Sequence, residues 1–198
     1  MFIKNNIIKS INESINVKKS LVDQINQIEK CTKIISNCIK KGNKVFICGN
    51  GGSAADAQHL SAEFLVRLNP SINRKPLPVV SLALDTSTLT ACSNDYDFKF
   101  IFSRNLDALA SKNDILIVIS TSGNSKNIIE VSKTAKKKKI KIIGFLGKTG
   151  GKVKKLIDYP LFVDSLNTAR IQEAHITLGH IILFNAEKLL LKKWKKKF

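Results

Sequence analysis

Residues 44–64 read KVFICGNGGSAADAQHLSAEF and join a short apolar run to a glycine-rich loop and a helical segment. A strand, a loop and a helix in this order form the repeating unit of parallel α/β folds. The helix carries His59 and Glu63 four residues apart, so their side chains lie on one face. The glycine-rich loop lets a substrate approach the backbone closely. An imidazole and a carboxylate beside such a loop are typical of an enzyme site.

Strand-like runs and helical patterns alternate along the rest of the chain. Residues 114–119, DILIVI, are apolar on both faces, as buried parallel strands are. The alternation predicts an α/β fold, a three-layer sandwich around a five-stranded parallel sheet. The predicted strands span residues 44–48, 78–84, 114–119, 140–145 and 159–163. The predicted helices of this part span residues 53–68, 125–138 and 168–195, with further polar and helical sequence up to residue 110.

The N-terminal segment, residues 1–41, is helical by pattern and precedes the first strand. A break is predicted near Asn16, after which the apolar stripe continues. Because this arm lies outside the βα repeat, it either covers the sheet or packs on another subunit, and we favour a subunit contact, at least in part. The sequence thus predicts one domain over residues 1–198, with an oligomerisation arm at 1–41 and an α/β core at 44–198. The isoleucines that recur every four residues are Ile3, Ile7, Ile11 and Ile15.

The composition narrows the class of protein. The chain has 198 residues, of which 43% are hydrophobic and 24% charged, as in a soluble globular domain. Its longest apolar runs have the length of strands, and its start lacks a secretory pattern, which predicts a cytoplasmic protein without a membrane partner. No cysteines form a CxxC pair, so reduced, packed thiols are expected. These cysteines are Cys31, Cys38, Cys48 and Cys92.

The net charge of +18 suggests nucleic-acid binding, but the residue types weaken that interpretation. Only four of the 33 basic residues are arginines, whereas base and phosphate recognition favours the arginine fork. We attribute most of the charge to codon bias on solvated surfaces and expect no nucleic-acid partner. A weak preference for anionic substrates follows from electrostatic steering.

Two strand-to-helix loops have the composition of ligand-binding loops. The first, residues 49–53, reads GNGGS, and the second, residues 120–125, reads STSGNS. Ligands of parallel sheets bind at the carboxyl ends of the strands, where free helix N–H groups favour an anion. A helix cap would account for Ser125 alone. Four hydroxyls around one glycine favour a phosphate site in the second loop.

The first loop also permits a nucleotide-binding interpretation. Gly49, Gly51 and Ala54 match a loose form of the dinucleotide fingerprint, and Asp85 ends the next predicted strand. However, Asp85 follows Gly49 by 36 residues, later than the usual ~20. A nucleotide-linked dehydrogenase is therefore a minor alternative.

Polar residues on the closing helix extend the candidate site. His59, Glu63, Gln172 and His180 offer nitrogen and oxygen ligands for a zinc ion, although each is also compatible with an ordinary hydrogen-bonded helix residue. We interpret His175 as structural or as a supporting residue. Gln172 and His180 are eight residues apart, a rise of about 12 Å, so reaching one ion from one helix would stretch both side chains. We therefore expect a site at a subunit interface.

Together these motifs resemble a known family. The loop at 120–125 resembles the phosphosugar-binding loop of sugar isomerase (SIS) domains. With CGNGGS at 48–53, AQHLSAE at 57–63, the pair Asn94-Asp95 and RIQEAH at 170–175 followed by His180, the chain closely resembles the phosphoheptose isomerases over nearly its whole length. The serine loop alone indicates an SIS domain, whereas the pairs His59–Glu63 and Gln172–His180 are much more specific.

The resemblance implies a flavodoxin-like or Rossmann-like SIS domain, a homotetramer with sites between subunits, and one zinc ion per subunit. It implies conversion of sedoheptulose 7-phosphate to D-glycero-D-manno-heptose 7-phosphate, the first step toward the ADP-heptose of lipopolysaccharide core. The implied metal ligands are His59, Glu63, Gln172 and His180. The implied substrate contacts are Asn50, Gly51, Gly52, Ser53, Glu63, Asn94, Asp95 and Gln172 for the sugar, and Ser120, Thr121, Ser122 and Ser125 for the phosphate.

This reaction suits the residues, because moving a proton from C1 to C2 through an enediol needs a base and an acid. We expect Glu63 to be the base and His180 the acid on the opposite side, with zinc polarising the substrate oxygens. Some family members carry an acidic residue where this chain has Ala169, which puts one sugar contact in doubt.

A non-catalytic SIS-domain protein that binds the bacterial replication initiator is the competing interpretation. It resembles this chain in the serine loop and the closing helix. From the resemblance, that type lacks counterparts of Glu63 and His180. This chain has both residues, which favours an enzyme.

Overall fold

The computed structural model describes residues 2–83 and 85–194, which build a five-stranded parallel sheet in the order β2-β1-β3-β4-β5. The predicted α/β fold is confirmed. This order is the flavodoxin-like doubly wound one, and its direction reverses between β1 and β3, the place where such folds bind ligands. The strands are β1 (Val45–Gly49), β2 (Val79–Ser81), β3 (Ile115–Ser120), β4 (Lys141–Gly147) and β5 (Tyr159–Val163).

Helices cover both faces of the sheet and give three layers. One face packs against α2, α3 and α7 through Ile35, Phe64 and Leu178, and the other packs against α4, α5 and α6. Every residue of β1 and β3 is buried, as expected for central strands covered on both sides. The helices are α1 (Phe2–Ser20), α2 (Ile25–Lys40), α3 (Gly52–Leu65), α4 (Thr86–Asp95), α5 (Ile101–Leu109), α6 (Lys126–Lys137) and α7 (Thr168–Trp194).

The strand register brings the two candidate loops together. Gly49 at the end of β1 pairs with Ile119 of β3, and Ser120 pairs with Leu146 of β4. The glycine loop and the serine loop therefore leave adjacent strands at the same edge of the sheet. Several element ends differ from the predicted ones: α3 ends at Leu65 rather than 68, for example. The predicted ends at residues 84 and 195 lie outside the described part of the chain.

The predicted helix break near Asn16 is wrong. Helix α1 continues to Ser20, and a 3-10 turn at Leu21–Gln24 separates it from α2. The side chain of Gln24 explains the position of this turn. Its Nε2 donates to the carbonyl of Phe162 at 2.5 Å, and its Oε1 accepts from the Phe162 N–H at 2.8 Å. Gln24 thus pairs with the free edge of β5 and fixes the chain there.

The arm contacts the core through α7, yet its apolar stripe faces outward in the single chain. Ser14 donates to Glu173 at 2.7 Å, while Ile3 and Ile7 are 72% and 55% exposed. Within the described residues, no helix is long and apolar enough to cross a membrane. The four cysteines are buried and unpaired, which confirms the expectation of reduced, packed thiols.

Candidate functional site

Three of the predicted metal ligands meet within one chain. His59 and Glu63 lie one turn apart on α3, and His180 reaches them from α7. The two imidazole Nε2 atoms are 3.0 Å apart, and the carboxylate oxygens of Glu63 lie 3.4 Å from His59 and 3.6 Å from His180. Both imidazoles thus present a ring nitrogen to the same space beside the Glu63 carboxylate.

The three ligand atoms suit a single metal ion. All of them lie within 4.8 Å of one another. Zinc bound at about 2.0–2.1 Å in tetrahedral geometry holds its ligands about 3.4 Å apart. The shortest distances here, which involve either oxygen of Glu63, are 3.0, 3.4 and 3.6 Å. Glu63 Oε2 is also buried without a hydrogen-bond partner among the described residues. A buried carboxylate oxygen of this kind is free to bind a metal ion. The donor set therefore fits a zinc ion.

Close packing of α3 against α7 brings His59 and Glu63 close to His180. A Cβ atom built on Gly179 would lie 2.6 Å from Leu60 Cδ1, so a side chain at this contact would force Leu60 to shift. Next to that contact on each helix stand His59 and His180. The absence of a side chain thus lets two helices approach closely enough for their imidazoles to touch.

The side chain of the fourth predicted ligand, Gln172, lies against the start of α3. A Cβ atom on Gly52 would lie 1.9 Å from Gln172 Nε2, which places the amide against the glycine loop. Gly52 precedes His59 by seven residues on α3, a rise of about 10 Å. One chain therefore brings three of the four predicted ligands together, and its own Gln172 contacts the residue two turns before His59.

Asn127, at the second position of α6, is a site residue that the sequence did not reveal. Its side chain donates to Asn50 Oδ1 at 2.8 Å and accepts from Asn50 Nδ2 at 2.9 Å. Asn127 is 2% exposed and fixes the orientation of Asn50 in the glycine loop. No spacing rule could have revealed this pair, because 77 residues separate its members. The neighbouring Ser53 is buried at the start of α3.

The serine loop is folded so that hydroxyls remain available. Ser125 lies at the N-cap of α6 but makes no capping hydrogen bond through its side chain. Ser120 accepts from the Gly123 N–H at 3.1 Å, and Ser122 accepts from the Asn124 N–H at 3.2 Å. The capping explanation for Ser125 is therefore wrong. Thr121 is the remaining hydroxyl residue of the loop. Hydroxyls at the start of a helix suit an anion.

Gly123 holds the serine loop against a second glycine-containing turn. Its φ is +64°, and a Cβ atom there would lie 2.1 Å from the carbonyl oxygen of Gly150. Val153 N–H also donates to the Gly123 carbonyl at 2.9 Å, which ties the two turns together. The position thus needs both a left-handed backbone and the space of a missing side chain.

We expect Gly123→Ala to lower the free energy of unfolding by about 1–3 kcal/mol from backbone strain, with a further loss from the contact with Gly150. Gly42→Ala is the matched control, because Gly42 has φ +79° and nothing within 4 Å of an added Cβ. Urea unfolding measures both variants. Equal destabilisation of the two would contradict the proposed packing.

Asn94 and Asp95 lie at the end of α4, where both side chains are exposed and Asn94 donates to Asp95 at 2.9 Å. Asp85 begins the same helix as its N-cap and accepts from the Ser87 N–H and the Thr88 hydroxyl. These hydrogen bonds, with that from Thr88 the largest effect, lower the pKa of Asp85. The helix cap accounts for Asp85 without a ribose partner, which removes support from the dehydrogenase alternative.

Two further titratable groups lie on the helices that carry the cluster, Asp56 on α3 and His175 on α7. Asp56 lies one turn before His59, and its Oδ2 is buried without a hydrogen-bond partner among the described residues. Burial raises the pKa of Asp56 to about 6, against the opposing effect of His59. His175 is fully buried beside Phe145, with the ring centroids 6.2 Å apart. Burial lowers the pKa of His175 to about 4, so this ring is neutral at pH 7.

Comparison with known proteins assigns the chain to a family. Residues 10–147 match the SIS domain family. A phosphoheptose isomerase of Clostridium acetobutylicum is 47% identical over 190 residues, which cover 94% of this chain and 96% of that protein. The chain belongs to the phosphoheptose isomerases of the SIS-domain family. A phosphoheptose isomerase of Aquifex aeolicus is 45% identical over 186 residues, 93% of this chain and 96% of that protein.

Solved structures of phosphoheptose isomerases share the fold. The one from Francisella tularensis superposes with a TM-score of 0.90 at 33% identity, covering 95% of this chain and all of that one. The one from Neisseria gonorrhoeae has a TM-score of 0.88 at 36% identity, with coverage of 94% and 99%. The resemblance found in the sequence and the prediction of an isomerase are confirmed.

Proposed function

We propose that this chain converts sedoheptulose 7-phosphate to D-glycero-D-manno-heptose 7-phosphate, the first step toward the ADP-heptose of lipopolysaccharide core. The observation that carries the proposal is the cluster of His59, Glu63 and His180 in a member of this family. These two imidazoles and one carboxylate bring their ligand atoms within 4.8 Å of one another where α3 and α7 meet.

The two loops would divide the substrate between them. The phosphate is proposed to bind the serine loop, at Ser120, Thr121, Ser122 and Ser125, where the α6 N-terminus favours negative charge. The sugar chain would extend toward the glycine loop and the metal cluster. Its proposed contacts are Asn50, Gly51, Gly52, Ser53, Glu63, Asn94, Asp95 and Gln172.

Zinc is the proposed cofactor, one ion per subunit. His59, Glu63 and His180 would hold it, with Gln172 as the fourth ligand. When bound, the ion supplies Lewis-acid polarisation of the substrate oxygens. The observed nitrogen and oxygen donors are those that zinc prefers.

Glu63 and His180 are proposed to move the protons. The Glu63 carboxylate would take a proton from C1 of the ketose and return it to C2, which leaves an aldehyde at C1. His180 would give a proton to the oxygen on C2 and then take the proton of the C1 hydroxyl, which restores the acid. The substrate therefore changes in structure without gaining or losing atoms.

We further propose that residues 1–198 form a single cytoplasmic SIS domain that assembles as a homotetramer with sites at subunit interfaces. The side chains of His59 and His180 are 51% and 43% exposed in the single chain, although isomerisation through an enediol benefits from exclusion of water. A neighbouring subunit could cover the cluster and supply Gln172. The exposed isoleucine stripe of α1 would form part of that contact.

Mixing of inactive variants tests the shared site. We expect Glu63→Ala and Gln172→Ala subunits, once exchanged, to regain roughly a quarter of wild-type turnover, because one pairing in four combines an intact cluster with an intact glutamine. The matched control mixes Glu63→Ala with His180→Ala. Those two residues belong to one cluster in one chain, so that mixture should stay inactive. Equal activity of the two mixtures would contradict a shared Gln172.

Incubation of purified protein with zinc and sedoheptulose 7-phosphate tests the reaction itself. We expect a heptose 7-phosphate to accumulate to equilibrium with the ketose. A folded, zinc-loaded protein that forms no product would overturn the isomerase proposal and favour a non-catalytic binding protein.

A further inference from the structure

A buried arginine outside the proposed catalytic set touches both helices of the metal cluster. Arg74 lies in the segment between α3 and β2, and its side chain is 1% exposed. No residue type or spacing in the sequence distinguishes Arg74 from a surface cation. Its burial therefore calls for a physical explanation, because an arginine is rarely buried without partners.

On one side the guanidinium binds the end of α3. Arg74 Nη2 donates to the carbonyl oxygen of Glu63 at 2.9 Å, and Nη1 donates to that of Phe64 at 2.8 Å. The last carbonyls of a helix lack partners within the helix and lie at the negative end of its dipole. Arg74 therefore satisfies the C-terminal end of α3 at the very residue whose side chain belongs to the metal cluster.

On the other side the guanidinium binds α7. Arg74 Nε donates to Glu187, whose side chain is also 1% exposed. Glu187 follows His180 by seven residues, so the two lie on the same face of α7. The contacts run from the backbone of Glu63 through Arg74 to the helix that carries His180. Only a planar fork with several donors can make these contacts together, which a lysine cannot do.

We propose that Arg74 is a positioning residue that fixes Glu63 relative to His180 and thereby sets the spacing of the metal ligands. Arg74 is not among the proposed substrate and metal contacts. It acts through the backbone of Glu63 and through Glu187. This inference rests on the metal site of the proposed function, but it concerns the affinity of that site rather than the reaction.

The test is zinc affinity measured without substrate in the full chain. In the double variant Arg74→Met, Glu187→Leu, apolar side chains replace the buried ion pair, a change that proteins often tolerate. We expect it to remain folded and to bind zinc about 10–100-fold more weakly than the wild type, the effect typical of residues that orient metal ligands. Competition with a chelating dye measures the affinity, and circular dichroism monitors the fold.

Arg74→Lys provides a second variant that keeps the buried positive charge beside Glu187. It should also weaken zinc binding, because it loses the fork that holds the Glu63 and Phe64 carbonyls. Arg104→Met is the matched control, since Arg104 is exposed on α5 and stacks on Tyr96 at 4.1 Å. The control should bind zinc as the wild type does.

The outcomes separate this inference from the proposed reaction. Wild-type zinc affinity in a folded double variant or in Arg74→Lys would overturn the positioning role and leave the reaction untouched. Zinc binding that weakens as expected in a protein that forms no heptose phosphate would overturn the reaction and support the positioning role. A wild-type chain that binds no zinc would overturn the positioning role and the proposed cofactor, while product formation would still decide the reaction.

Discussion

Glu63→Gln is expected to lower kcat for sedoheptulose 7-phosphate by at least about 10²–10⁴-fold, the usual contribution of a general base. Glutamine has nearly the same shape as glutamate, but its amide cannot accept a proton from C1. The substitution also removes the negative charge that lies 3.4 Å from His59 and 3.6 Å from His180. The loss should therefore fall on kcat, while the fold and the subunit assembly are kept.

Glu130→Gln is the matched control for this experiment. Glu130 lies on α6, where it pairs with Lys133 at 3.2 Å and is separate from the cluster. It should leave kcat unchanged. Gel filtration and thermal unfolding of both variants establish that neither change disturbs the structure. A Glu63→Gln protein with near-normal turnover would remove Glu63 from its proposed role.

Removal of the metal is expected to have an effect of similar size. A Lewis acid contributes several kcal/mol to such reactions, and each 1.36 kcal/mol is a factor of ten in rate. Chelation should thus lower turnover by about 10²–10³-fold, and zinc should restore it. His59→Gln should not recover with stoichiometric zinc, because it lacks one of the nitrogen donors that face the site.

Magnesium is the control ion for that measurement. It prefers carboxylate and water ligands, whereas two of the three clustered donors here are imidazoles. Chelated protein should therefore stay inactive with magnesium alone. Full turnover by protein shown by elemental analysis to be free of metal would contradict the proposed cofactor.

Local patterns were sufficient to predict the sheet. The run at 114–119 is apolar on both faces because β3 is covered by helices on both sides, and burial of that kind is visible in the residue types themselves. The two loops could also be predicted, because glycines and hydroxyl residues directly after a strand indicate a ligand-binding loop by their composition alone. The candidate metal ligands could be named from their residue types and helix spacing, and the resemblance implied the same set.

Contacts between distant residues could not be predicted in the same way. The turn after α1 depends on Gln24 pairing with Phe162, 138 residues away. The support of Glu63 depends on Arg74 meeting Glu187, which 113 residues separate. Neither pair has a pattern of its own, because an isolated glutamine or arginine is usually a surface residue. Such residues acquire a role only when the fold brings their partners to them.

The separation of Gln172 from the other ligands sharpens the interface hypothesis. Helix geometry alone predicted that Gln172 and His180 would not easily reach one ion. The structure places the Gln172 amide against Gly52, while His180 meets His59 further along the same pair of helices. The proposed sharing of sites between subunits now concerns one residue, Gln172, rather than the cluster as a whole.

The most direct test of the central claim is turnover of sedoheptulose 7-phosphate by the purified, zinc-loaded wild-type chain, followed by nuclear magnetic resonance of the sugar carbons. We predict that the C2 ketone signal declines as signals of an aldoheptose 7-phosphate appear. A folded, metal-bound protein that leaves the ketose unchanged would contradict the claim that this chain is a sedoheptulose 7-phosphate isomerase.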